Sequence, residues 1–187
     1  MIVEQCMSKS PRACTQADTL STAARLLWEH DLGALPVVDH AGAVVGMITD
    51  RDLCMAAYTS GLPLHATHVG RHMSRTVFSI GAKAEASKAA ELMKSRKVRR
   101  LPVVENGRLV GVVTLSDIAR TAGRSGKVRG LSGEEIAGVL ASVTEPRTSA
   151  TVAPATNSTT NPTANAKSTK SKPLFRAKTR ALAKKRG

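Results

Sequence analysis

The sequence predicts an α+β protein of two tandem units, each a three-stranded sheet with flanking helices, packed as an intramolecular pseudo-dimer and followed by a disordered basic tail. Three observations predict it. The chain repeats itself internally, each copy shows the same succession of helical and strand periods, and apolar bulk nearly vanishes after residue 147.

The repeat is clearest in Leu35-Pro-Val-Val38 and Leu101-Pro-Val-Val104, which lie 66 positions apart. At the same shift Val3, Met7 and Ser8 fall on Val69, Met73 and Ser74. One residue is lost in the next turn, so Gly42, Gly46, Thr49 and Asp52 match Gly107, Gly111, Thr114 and Asp117 at a shift of 65. A duplicated fold tolerates such a change when it is confined to a turn.

Within the first copy, a short strand is expected near residues 12–15. Leu20, Ala23, Ala24, Leu27 and Trp28 then recur at three and four, predicting an amphipathic helix over 19–29 with Asp18 as N-cap. In the second copy a strand near 77–80 precedes Ala86, Ala89, Ala90 and Met93 at the same spacing. Each helix gives way to Leu-Pro-Val-Val, where proline disfavours helix before it and paired valines favour strand. His40-Ala-Gly42 and Asn106-Gly107 turn the chain into a second strand, and Asn-Gly between apolar runs is a hairpin signal. A further helix opens at Thr49 and at Thr114. Units this small bury too little surface alone, which favours packing one on the other.

These boundaries give a first unit over 1–62 and a second over 63–123. A linker and short helix follow over 124–147, and the tail runs over 148–187. The glycine-rich stretch 123–130 reads as linker. Ser132-Gly-Glu-Glu135 reads as a capping box before Ile136, Val139, Leu140 and Val143 on one helical face.

With Trp28, Tyr58, Phe78 and Phe175 as the only aromatics, the core must be aliphatic. No apolar run is long enough to span a membrane and the N-terminus lacks a secretory pattern, so a soluble, cytoplasmic chain is expected. Cys6, Cys14 and Cys54 form no C-x-x-C pair, suggesting neither a disulfide framework nor a cysteine zinc site. The net charge of +14 is uneven. Residues 144–187 hold ten Lys or Arg against Glu145, and the remainder holds eighteen basic against thirteen acidic groups.

Thr49-Asp-Arg-Asp52 and Thr114-Leu-Ser-Asp117 each place an acid three residues after a threonine at a strand end. One reading is a capping box, with Ile48 and Leu53, or Val113 and Ile118, as a hydrophobic staple. The other is a phosphate and ribose site. Free N–H groups and the helix dipole attract an anion, the hydroxyl adds a donor, and the carboxylate accepts from ribose hydroxyls. Arg51 supplies a charged donor in the first copy, whereas Ser116 supplies a neutral one in the second, so the two sites should differ in affinity.

Together the helix, G-A-L-P-V-V-D, the turn, V-V-G-M-I-T-D-R-D and their near copy resemble the tandem cystathionine beta-synthase (CBS) domain pair, or Bateman module, over about residues 1–123. The resemblance implies sheet-to-sheet packing and clefts for adenosine-containing ligands such as AMP, ADP, ATP or S-adenosylmethionine, in a stand-alone regulatory module that forms a homodimer and signals to a partner. It implies phosphate and ribose contacts at Thr49, Asp52, Thr114 and Asp117, with Arg51 a phosphate contact. Leu35, Pro36, Leu101 and Pro102 would line the adenine pockets. This chain departs from the pattern where Arg99 and Arg100 replace Gly33 and Ala34 of the first copy, and where Leu115 replaces Asp50. The arginines either strengthen phosphate binding or block the second pocket.

His65, His68 and His72 are spaced as metal ligands can be, but no acid or cysteine completes a set, and a solvated linker is the simpler reading. The run Lys94–Arg100 closes a helix, where cations meet the negative end of the dipole, or forms an anion-binding rim. No activated nucleophile, Walker loop or dinucleotide fingerprint is present, so no catalysis is expected. Residues 167–187 are basic with Leu174, Phe175 and Leu182 interspersed. They either contact nucleic acid or keep the chain soluble, and the first makes a nucleic-acid-associated protein the alternative function.

Overall fold

A computed structural model describes residues 1–125 and 132–145. The expected tail, and the linker over 126–131, lie outside them. In chain order the first part runs β1 (Ser8–Lys9), β2 (Cys14–Thr15), α1 (Leu20–Glu29), β3 (Ala34–Val38), β4 (Val44–Thr49) and α2 (Asp50–Ser60). There follow α3 (Val69–His72), β5 (Ile80–Gly81), α4 (Ala86–Arg96), β6 (Arg100–Glu105), β7 (Arg108–Thr114), α5 (Leu115–Ser125) and α6 (Gly133–Thr144).

Each copy forms the expected antiparallel hairpin with a parallel third strand. β2–β3–β4 make one sheet and β5–β6–β7 the other, with Leu35 opposite Ile48 and Leu101 opposite Val113. The second hairpin turns through Asn106 and Gly107, both at positive φ (50° and 76°), the geometry that Asn-Gly supplies cheaply. Both cores are aliphatic. One gathers Leu20, Ala23, Leu27, Leu35, Val37 and Ile48, the other Ala89, Ala90, Met93, Leu101, Val103 and Val113.

The two copies exchange their leading segments. β1 pairs with β7 as a fourth strand of the second sheet, Ser8 opposite Val112. Its repeat mate Ser74 bridges to Met47 of the first sheet. Val3 accordingly lies in the second core, while Val69 and Met73 lie in the first. This explains a glycine that both copies keep. A Cβ at Gly111 would stand 2.9 Å from the Ser8 carbonyl oxygen and 2.6 Å from Met7 Sδ. A Cβ at Gly46 would meet the Ser74 oxygen and Met73 Sδ at the same two distances. Only a residue without a side chain lets the crossing segment hydrogen-bond there.

Three local expectations are corrected. α1 is capped by Thr19, whose Oγ1 accepts from Thr22 N–H at 3.2 Å, while Asp18 turns back to accept from Thr15 N–H at 2.7 Å. Trp28 lies off the buried stripe and is 88% exposed, because the core side of α1 is completed by Leu27. Gly123 to Ser125, read as linker, continue α5.

α6 is capped as expected, with Ser132 Oγ accepting from Glu135 N–H at 3.1 Å and Glu135 Oε2 from Ser132 N–H at 2.6 Å. It packs on α4 and α5, burying Val139, with Val143 against the same core. Lys97 Nζ donates to Glu145 Oε2 at 2.7 Å and Ser142 Oγ to the Lys94 carbonyl at 3.4 Å.

Candidate cleft between the two units

The four residues that open α2 and α5 begin in the same way. Thr49 N–H and Oγ1–H both donate to Asp52 Oδ2, at 2.8 and 2.7 Å, and Asp52 N–H donates to Thr49 Oγ1 at 3.2 Å. Thr114 and Asp117 repeat this at 3.0, 2.7 and 3.1 Å. The capping box read from sequence is therefore formed twice. It occupies the hydroxyl and one carboxylate oxygen and leaves Oδ1 as the acceptor for anything else.

That second oxygen distinguishes the sites. Arg120, one turn along α5, donates from Nη1 to Asp117 Oδ1 at 3.3 Å. Its repeat mate is Met55, and among the described residues no partner reaches Asp52 Oδ1. Asp50 is exposed and accepts from Arg51 N–H at 2.7 Å, whereas Leu115 in the matching place is buried in the second core. Arg51 and Ser116 are both exposed.

Arg100 reaches across from the second unit. A Cβ at Gly33 would lie 3.2 Å from its Nη2 and 3.3 Å from its Nη1, so the guanidinium rests on the bare glycine backbone. Gly33 leads into Ala34, which pairs with Thr49, and this sets the cation beside the opening turn of α2. Burial and then the like charge of Arg99 push the Arg100 pKa down, and Asp50 pulls it the other way. Among the described residues Arg100 has no salt-bridge partner. Its repeat mate Ala34 is a buried methyl, so the opening turn of α5 faces no matching cation.

Leu35 and Leu101 are fully buried in the two helix-side cores. Pro36 and Pro102, one residue on, are also buried and by strand alternation lie on the opposite sheet faces. The sequence singled out Arg100 but could not say which unit it faces, since that follows only from the packing of the two copies. Arg120 was missed, although its i, i+3 spacing from Asp117 is a readable signal.

Elsewhere, His68 Nδ1 lies 3.0 Å from the Ala17 carbonyl oxygen. Among the described residues no three His, Cys, Asp or Glu side chains converge as a metal site. A groove of about 460 Å³ runs between α4 and α6, lined by Ala90, Lys94, Glu134, Glu135 and Val139 among others, and none of Thr49, Asp52, Thr114 and Asp117 lines it. No described helix is long and apolar enough to cross a membrane.

Comparison with known proteins places this geometry. The CBS domain profile matches residues 3–58 and 68–123. Hypoxic response protein 1 of Mycobacterium tuberculosis is 37% identical over 103 residues, covering 55% of this chain and 72% of that protein. The crystal structure of Hypoxic Response Protein I with two coordinated zinc ions superposes with a TM-score of 0.59 at 32% identity, covering 64% of this chain and 98% of that one. The CBS domain pair of protein MJ0100, in complex with 5'-methylthioadenosine and S-adenosyl-L-methionine, gives 0.59 at 28% identity over 67% of this chain and 98% of that one. CBSX2 in complex with AMP gives the same TM-score at 26% identity and the same coverage. The chain thus belongs to the CBS domain family and carries two of its domains in tandem.

Proposed function

We propose that this chain is a regulatory module that binds an adenine nucleotide or adenosyl compound between its two CBS units and passes occupancy to a partner protein. The observation that carries this reading is the arrangement around α2. An unengaged carboxylate oxygen of Asp52 and an unpaired Arg100 from the other unit flank a helix N-terminus that also bears Arg51. CBS pairs solved with AMP or S-adenosyl-L-methionine support the class of ligand.

Asp52 Oδ1 would accept from the ribose hydroxyls, and Arg51 and Arg100 would meet the phosphates or another anionic group. Thr49 fixes the carboxylate through the cap. Thr114, Ser116 and Asp117 would form the second, weaker site, because Asp117 must first release Arg120 and no second-unit cation has a counterpart there. Pro36 and Pro102 would set the walls from the hairpins, while Leu35 and Leu101, fully buried in the helix-side cores, would hold those hairpins in place.

Because Arg100 and α2 belong to different units, a ligand touching both favours one packing of the units over another. It biases the partner only by that difference in affinity. CBS domains are typically regulatory rather than catalytic, which supports a binding role.

Calorimetric titration with AMP, ADP, ATP and S-adenosylmethionine tests the reading. One tight site is expected, weakened about tenfold in Arg100→Ala, the loss of a charge-assisted hydrogen bond. Absence of binding by all four would overturn it. The alternative, nucleic-acid association through residues 167–187, rests on their charge. It predicts that a DNA duplex binds with a steep salt dependence and that truncation at Thr148 abolishes it.

A further inference from the structure

α6 lies beyond both residue ranges that match the CBS profile, so it is an addition to the pair. Its first turns stand off α4 across the groove lined by Ser87, Glu91, Ser132 and Glu134. Attachment is concentrated from Val139 onward. Val139 is 4% exposed in the second core with Ala90, Met93 and Ile118, and Val143 packs against the same core. Ser142 Oγ then donates to the Lys94 carbonyl at 3.4 Å, and Lys97 Nζ donates to Glu145 Oε2 at 2.7 Å.

These last two contacts hold the turn that ends α4. Lys97 closes that helix in the left-handed conformation (φ 51°, ψ 43°), and Val98 N–H donates back to the Met93 carbonyl at 3.0 Å. In the first copy Asp31 makes the same turn at φ 50°, with Leu32 N–H on the Leu27 carbonyl at 2.8 Å. Asp accepts the left-handed region more readily than Lys does. The second copy thus places the less suited residue there and ties its side chain to α6. Arg100 follows three residues later. Between them the Arg99 carbonyl accepts from Leu115 N–H at 3.0 Å, and Arg100 itself pairs with Thr114. The turn therefore sets the direction from which Arg100 crosses to Gly33.

We propose that docked α6 holds this turn and so aims Arg100, which couples α6 to the affinity of the first cleft. The inference rests on the reading of that cleft as a ligand site. Lys97, Ser142 and Glu145 are positioning residues in it, acting through Arg100. The coupling is reciprocal: a ligand that fixes Arg100 fixes the turn, and α6 docks more firmly by the same factor. Its size is bounded by what Arg100 contributes, about tenfold.

The test uses the full chain and the tightest binder among AMP, ADP, ATP and S-adenosylmethionine. Val139→Asp should undock α6, read as faster hydrogen exchange of its amides, and should weaken binding about three- to tenfold. Leu140→Asp, on the exposed face of the same helix, should leave affinity unchanged. In an Arg100→Ala background Val139→Asp should have no further effect, an outcome that a general loss of structure would not give. Saturating ligand should slow exchange in α6 of the wild type and not of Arg100→Ala. Should Val139→Asp fail to fold, Ser142→Ala with Glu145→Lys breaks both turn contacts and gives the same readouts. Affinity that undocking α6 leaves unchanged would overturn the proposal while the cleft reading stands. Equal losses with and without Arg100 would overturn it as well. A wild type that binds none of the four compounds would overturn the cleft reading and this proposal with it.

Discussion

The helix starts at Thr49 and Thr114 share a cap to within 0.2 Å, yet they sit in different electrostatic surroundings. At the first, an exposed Asp50, Arg51 and the crossing Arg100 leave charge unsatisfied. At the second, Leu115 is buried and Arg120 already holds Asp117. Duplication kept the part that each helix needs in order to form. The parts that decide what each helix can bind have diverged.

The largest effect should come from the segments that make the pair one body. Gly46→Val and Gly111→Val each drive a side chain into a crossing backbone carbonyl. Either should cost about 1–3 kcal/mol in urea denaturation, while Gly81→Ala, with open space around it, should cost little. Equal losses at Gly46 and Gly111 would mean that the two crossings are equivalent, as their matching distances suggest.

Next come the caps. Thr49→Ala and Thr114→Ala should each cost about 1 kcal/mol of stability. Their effects on ligand affinity should differ, the first being larger. Identical losses of affinity would remove the distinction between the sites.

The smallest effect belongs to the exposed contact that fastens α6. The Lys97 ammonium, by hydrogen bond and by charge, holds the Glu145 carboxyl below its usual range. A depressed carboxylate contributes stability above the unfolded pKa and loses it as pH falls through the folded one. Lys97→Ala should therefore slightly reduce the stability change on acidification below about pH 4.5, with high salt masking the difference.

Reactivity offers a check on the first core. Burial and then Asp18 raise the Cys14 thiol to about 11, so at pH 8 a thiol reagent should label the exposed Cys54 and spare Cys14. Labelling of Cys14 at a similar rate would indicate that the first core opens readily.

Most of the fold was legible because its signals are local. Periodicity located the helices, Asn106-Gly107 the hairpin, and Thr-x-x-Asp the caps. The exchange of leading segments was not legible, although Val3, Met7 and Ser8 were visible as part of the repeat. Their spacing is the same whichever sheet they join, and only long-range pairing decides. Trp28 misled for a related reason. At the end of α1 the helical period still points toward the stripe, but the core has already been closed by Leu27. In the cleft, the residue types were readable, and the direction in which Arg100 reaches was not.

The most direct test is calorimetric titration of wild type, Asp52→Ala and Asp117→Ala with AMP and with ATP. The arrangement around α2 predicts one tight site that is lost in Asp52→Ala and persists in Asp117→Ala. Tight binding that survives Asp52→Ala and disappears in Asp117→Ala would contradict it.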